Sequence, residues 1–289
     1  MNPEEYAAQQ ALITAAVARY VQQFGRFFTN AALTIDEWLK LLQILYPEVE
    51  RRRYESAVLA RYFYDSQRQL HTQLPRHSVD LEGYSFKSFV QNMEPARNRM
   101  SLPESPADAV TRMTLQAVRE VENAGRQQLI HSVQAEPEER IVHGWARVAT
   151  GRETCEWCLM LISRGPVYLG SDTAGLDLPD WEAEKMIAAG EDVSEFMEQW
   201  HAGCDCKVVP VYDVKNWPGM NEAKRAEELW IDASREAAKT LEANPDKQYY
   251  SMKNQRWEKT TLNRETINTL RRRLESGDVS MTEFSALAA

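Results

Sequence analysis

Cys155-Glu156-Trp157-Cys158, followed after 42 intervening residues by His201-Ala202-Gly203-Cys204-Asp205-Cys206, is the stretch on which the reading of this chain turns. The first run places two thiols three positions apart, and the second adds an imidazole and two more thiols, five donors in all. Both sulfurs of a CxxC knuckle can face one point at about 2.3 Å from zinc, and an HxxCxC half closes a tetrahedral shell with no open position. A closed shell is a structural one. The expectation is therefore one structural Zn2+ held by four of Cys155, Cys158, His201, Cys204 and Cys206. All four cysteines of the 289-residue chain fall in this window, which is clustering rather than the even scatter of a disulfide framework. Two other readings stand beside it. The cysteines can form disulfides or sit as buried thiols, or Cys155 and Cys158 can act as a redox dithiol, which the HxxCxC half argues against.

Working outward, Ile141 to Ala149 alternates loosely like a strand, Leu159 to Leu169 can supply a second, and Cys206 to Tyr212 reads as a third. Between them, Asp180 to Trp200 is rich in Glu, Ala, Met and Trp, giving one or two short helices interrupted at Gly190. The flanks are helical. Asn2 caps a first helix with Pro3 at its first position, and Tyr6, Leu12, Ile13, Val17, Val21 and Phe24 follow at helical spacing up to a stop at Gly25. Thr34-Ile35-Asp36-Glu37 is a capping box for a short helix through Leu45, and Pro47 is expected to start another. Further helices are expected from Ser85 toward Met100, from Pro106 past Leu129, from Asn221 to Leu241 and from Asn263 to Leu274. Trp38, Tyr62 and Phe63 are assigned to the core. The fold class is thus α+β, predominantly α-helical, with a small β-sheet in a zinc-stapled central module. Its divisions are a helical region 1–139, the zinc-binding module 140–212, and a helical tail 213–289.

Composition limits the partners. Lys+Arg 34 against Asp+Glu 43 gives a net charge of −9, and the 140–212 module alone carries 6 against 12, so coating of nucleic acid by the whole surface is excluded. The acidic start Met1-Asn2-Pro3-Glu4-Glu5 is unlike a secretory signal, and nowhere do 18 apolar residues run together, so a soluble protein with no membrane association is expected.

The run Arg147-Val148-Ala149-Thr150-Gly151 leading to Cys155-x-x-Cys158, then Gly165-Pro166-Val167-Tyr168, then His201-x-x-Cys204-x-Cys206-Lys207-Val208-Val209-Pro210-Val211 resembles the minor head proteins of tailed phages, the Mu F-like head morphogenesis family. The resemblance spans Arg140 to Tyr212. It implies a minor capsid protein made in the bacterial cytoplasm and carried in the virion, with the portal protein and the major capsid protein as partners. The roughly 75 residues after Tyr212 are too few for the toxin or protease domains fused to some relatives.

Two rivals remain: a capsid maturation protease, and a DNA-contacting internal protein delivered with the genome. The first lacks motif support, since GxSxG and HExxH are absent and none of His71, His77, His131, His143 and His201 sits in a recognisable triad. His77-Ser78 with Asp80 reads as a solvated turn, and His143 as a core or strand-face residue. No enzymatic activity is expected. The second rival rests on Lys247, Lys253, Arg256, Lys259, Arg264, Arg271, Arg272 and Arg273 against Glu258 and Glu265, a local net of +6 with Tyr249, Tyr250 and Trp257 interleaved. A solvated face or docking on an acidic portal or capsid surface explains the same charges.

Overall fold

The computed structural model describes residues 1–25, 33–76, 78–81, 83–100, 106–137, 141–152, 154–166, 200, 203–251 and 255–287. They divide into two units: Met1–Val142 with Trp200–Cys204, and His143–Gln199 with Asp205–Ala288.

The first unit is built from α1 (Pro3–Gly25), α2 (Ile35–Thr72), α3 (Phe86–Met100) and α4 (Pro106–Gln134). Asn2 opens α1 through reciprocal bonds: its Oδ1 accepts from the Glu5 amide at 2.8 Å, while its own amide donates to Glu5 Oε2 at 3.0 Å. Thr34 repeats this capping box on α2 with Glu37. Glu37 is held below the usual carboxylate range by these bonds from Thr34.

Pro47 does not start a helix; α2 runs straight through it. Proline removes one ladder hydrogen bond. Here Leu41, Leu42 and Leu45 before it and Val49 after it lie in the same buried cluster with Val17, Val21, Phe89, Met93, Met113 and Val121. Burial of such side chains contributes about 1.5–3 kcal/mol each, enough to outweigh the lost bond. Trp38 and Phe63 are core, and Phe63 stacks on Tyr6 at 4.6 Å. Tyr62, expected beside them, is 59% exposed, because one step along a helix turns a side chain by about 100°.

In the second unit, β1 (Gly144–Val148) pairs antiparallel with β2 (Lys207–Val211) in the register Gly144↔Val211 to Val148↔Lys207. Both strands are buried throughout. The segment read as a second strand from Leu159 instead forms helix α5 (Glu156–Ser163). Five consecutive buried residues, Cys158 to Ile162, erase the 3.6-residue period that would have marked it. Residues 167–170, and the helices expected within 180–199, lie outside the described residues.

Next come α6 (Met220–Ala243), the hairpin β3 (Gln248–Ser251) and β4 (Arg256–Lys259), α7 (Leu262–Ser276) and a 3-10 turn (Met281–Phe284). The chain end then returns to β1: the amides of Ala286 and Leu287 donate to the Ala149 carbonyl at 3.0 and 3.3 Å. Gly219 permits this closure. Its φ is +92°, and a Cβ there would stand 2.6 Å from Val148 Cγ1. Among the described residues the structure is thus mostly helical with two small antiparallel sheets, and no helix is long and apolar enough to cross a membrane.

Candidate metal centre

Cys155 stands at the N-cap of α5 in extended backbone, and Cys158 follows in the first turn. Their sulfurs are 3.7 Å apart. Four ligands each about 2.3 Å from a tetrahedral centre are separated by edges of about 3.8 Å, so this spacing suits two ligands of one ion. Cys206 precedes β2 directly, and Cys204 lies two residues earlier on the same strand of chain. The sulfurs of Cys158, Cys204 and Cys206 all lie within 4.8 Å of one another, and all three residues are buried. Cys155 is half-buried and adjoins this group through Cys158. None of the four is joined in a disulfide. His201, the fifth expected donor, lies outside the described residues.

Asp205, between the two closing cysteines, was not singled out by spacing. Its Oδ2 accepts from the Thr150 amide at 3.2 Å, the Thr150 hydroxyl at 2.9 Å and the Arg152 amide at 3.1 Å, and the Thr154 hydroxyl lies at 3.3 Å. One carboxylate therefore fixes the loop that delivers Cys155 to the residue that separates Cys204 from Cys206. A signal existed: an acidic residue inside CxC and a Thr-Gly-Arg-Glu-Thr turn before CxxC are an acceptor and a set of donors. Gly151 shapes that turn at φ +80°, and the Ser285 hydroxyl donates to the Thr150 carbonyl at 2.9 Å. The Cys204 carbonyl in turn accepts from the Arg126 guanidinium at 2.8 Å, itself paired with Glu122 at 2.6 Å. Three buried thiols within 4.8 Å of one another form a soft donor set that could hold a metal ion.

The remaining expected residues are dispersed. His71 is in the last turn of α2 and His131 in that of α4. His77 lies outside the described residues, with Ser78 and Asp80 exposed beside it. His143 is exposed rather than core, because it precedes β1 and only its amide joins the sheet, donating to Val211 at 2.7 Å.

Much of the basic segment is answered inside its own unit. Lys247 pairs with Glu265 at 2.8 Å, Arg271 with Glu156 at 2.7 Å, Arg272 with Glu265 at 3.3 Å, Arg273 with Glu236 at 2.7 Å and Arg256 with Glu258 at 3.0 Å. Burial opposes ionisation of Glu265, but bonds from Lys247 and Asn268 with the charges of Lys247 and Arg272 outweigh it and hold the carboxyl below its ordinary range. Lys259 is exposed, and Lys253 lies outside the described residues.

Helices carrying a small sheet with a buried thiol cluster define a class of protein built around a metal-competent cysteine module. The particular family follows from comparison: the VG15 protein model matches residues 2–233, and the chain belongs to that family. The Gene 15 protein of Mycobacterium phage D29 is 51% identical over 290 residues, covering 96% of this chain and all of the relative. The Gene 15 protein of Mycobacterium phage L5 is 48% identical over 309 residues, with both chains fully covered. No solved structure matches. The family is one of phage proteins.

Proposed function

We propose that this chain is a minor capsid protein of a tailed phage. It is a non-enzymatic head-assembly component that joins the portal protein and the major capsid protein and travels in the virion. The reading rests above all on one observation: the buried Cys158, Cys204 and Cys206 cluster lies inside the window that resembles Mu F-like head proteins, in a chain of a phage family. The donor set fits zinc, with Cys158, Cys204 and Cys206 as three ligands and Cys155 or His201 as the fourth. A zinc ion there supplies a closed, redox-inert crosslink between the two cysteine runs. The chain's own residues do the rest: Asp205 sets the loop geometry, the β1–β2 pair aligns the two runs, and the helices present the module to its neighbours. A sheet of two five-residue strands encloses too little core to be rigid alone, which is the physical use of such a staple.

The test is complementation of a phage that lacks this gene. Wild-type chain is expected in purified heads by mass spectrometry. Cys158→Ser with Cys204→Ser is expected to leave particles without it and to lower the yield of filled heads. Absence of the wild-type chain from heads and virions would refute the assembly role, and full complementation by the cysteine variant would refute the need for the staple.

A further inference from the structure

The outward face of α2 has a sequence that is nearly symmetric about Val58. A tyrosine stands four residues to either side of it, Tyr54 and Tyr62, and residues of opposite charge stand seven to either side, Arg51 and Asp65. At 100° per residue, all four project within about 40° of the direction of Val58. The row is in solvent: Tyr54 is 62%, Val58 41% and Tyr62 59% exposed, and Leu12 of α1 is 71% exposed beside them. A groove of about 680 Å³ between α1 and α2 runs along it, lined in part by Leu12, Ile13, Tyr54, Val58, Leu59 and Tyr62. The charges stand at its ends. Arg51 pairs with Glu48 at 2.6 Å and Glu55 at 3.4 Å, and Asp65 pairs with Arg61 at 3.1 Å and Arg76 at 2.7 Å.

We infer that this face is the contact between two copies of the chain, with their α2 helices antiparallel about a two-fold axis at Val58. In such a pair each residue meets the one equally far beyond the axis, so Val58 meets its own copy, Tyr54 meets Tyr62 and Arg51 meets Asp65. Rings then lie on rings and opposite charges face each other, and at the usual interaxial distance of about 8–10 Å every one of these pairs is within side-chain reach. The groove beside Leu12 takes the tyrosines of the other copy. A parallel pair would instead set Arg51 on Arg51 and Asp65 on Asp65, which the like charges oppose. A bilayer surface calls for Lys and Arg along the flanks of an apolar row, whereas the two ends of this one differ in sign. A contact of this size falls at the small end of specific interfaces, so the association depends on concentration.

The test is sedimentation equilibrium of this chain from about 1 to about 200 µM, with circular dichroism to confirm the fold of each variant. The wild type is expected to pass from the 33.2 kDa monomer toward twice that mass as concentration rises. Val58→Lys and Val58→Glu, at an exposed helical position, each set like charges on the axis and are expected to remain monomeric. An equimolar mixture of the two is expected to associate again, a result that requires residue 58 to face its own copy. Tyr62→Ala is expected to weaken association about tenfold while unfolding like the wild type at about 1 µM, where both are monomeric. A wild type that stays monomeric over the whole range would overturn the inference. So would a dimer that both Val58 variants leave intact, or two monomeric Val58 variants whose mixture does not associate. Val58-dependent capture of a monomeric chain by vesicles of anionic lipid would assign the face to a membrane instead.

Discussion

Replacing Asp205 by alanine removes the acceptor of two backbone amides and the hydroxyl of Thr150, with Thr154 at the edge of contact. A hydrogen bond to a charged group contributes about 1.5–3 kcal/mol. The donors share one oxygen and Asp205 is only half-buried, so the sum saturates well below four times that value. About 3 kcal/mol is expected for Asp205→Ala, since the Thr150 and Arg152 amides lose their partner. Asp205→Asn keeps an acceptor and loses only the charge, for about 1 kcal/mol. Because the loop leads into Cys155, the same energies should appear in metal affinity: roughly a hundredfold loss for alanine and under tenfold for asparagine. The assays are thermal unfolding with and without chelator, and zinc competition against a chromophoric chelator. If alanine unfolds within about 0.5 kcal/mol of the wild type and holds zinc equally well, Asp205 does not organise the centre.

The remaining perturbations separate local causes. Gly219→Ala places a Cβ 2.6 Å from Val148 at φ +92° and should cost more than about 2 kcal/mol in thermal unfolding, whereas Gly277→Ala, at φ +80° with nothing within 4 Å, should cost only about 1 kcal/mol. Phe63→Ala empties a fully buried site stacked on Tyr6 and should lose about 3–5 kcal/mol in denaturant unfolding, while Tyr62→Ala should stay within about 0.5 kcal/mol. Glu265 has a depressed pKa in the folded state. The stability it contributes is present above the unfolded carboxylate value, about 4.3, and is lost as pH falls through the folded value. Glu265→Gln should therefore narrow its stability gap to the wild type as unfolding is followed from pH 7 down to pH 3.

Where caps and stripes are local, the sequence carries the fold: Asn2 and Thr34 announce α1 and α2 because each cap is complete within four residues. Pro47 misleads because its cost is local while its compensation is the shared burial of Leu42, Leu45 and Val49 with residues from three other helices. Helix α5 is hidden for the opposite reason, an apolar run buried on every side. The four-residue strands of the β3–β4 hairpin, rich in polar side chains, give no periodic signal. At the candidate centre, the cysteine spacing is visible in sequence because donors to one metal ion would keep fixed offsets. Asp205 is not, because its meaning depends on a turn more than 50 residues away.

X-ray absorption at the zinc edge, with metal analysis of this chain purified without added metal, reports on the cysteine cluster itself. One zinc per chain is expected, in a shell of three or four sulfurs at about 2.3 Å, lost on replacing Cys158, Cys204 and Cys206 by serine. Protein that folds and melts identically with no bound metal, or that carries a Cys155–Cys158 disulfide, would contradict it.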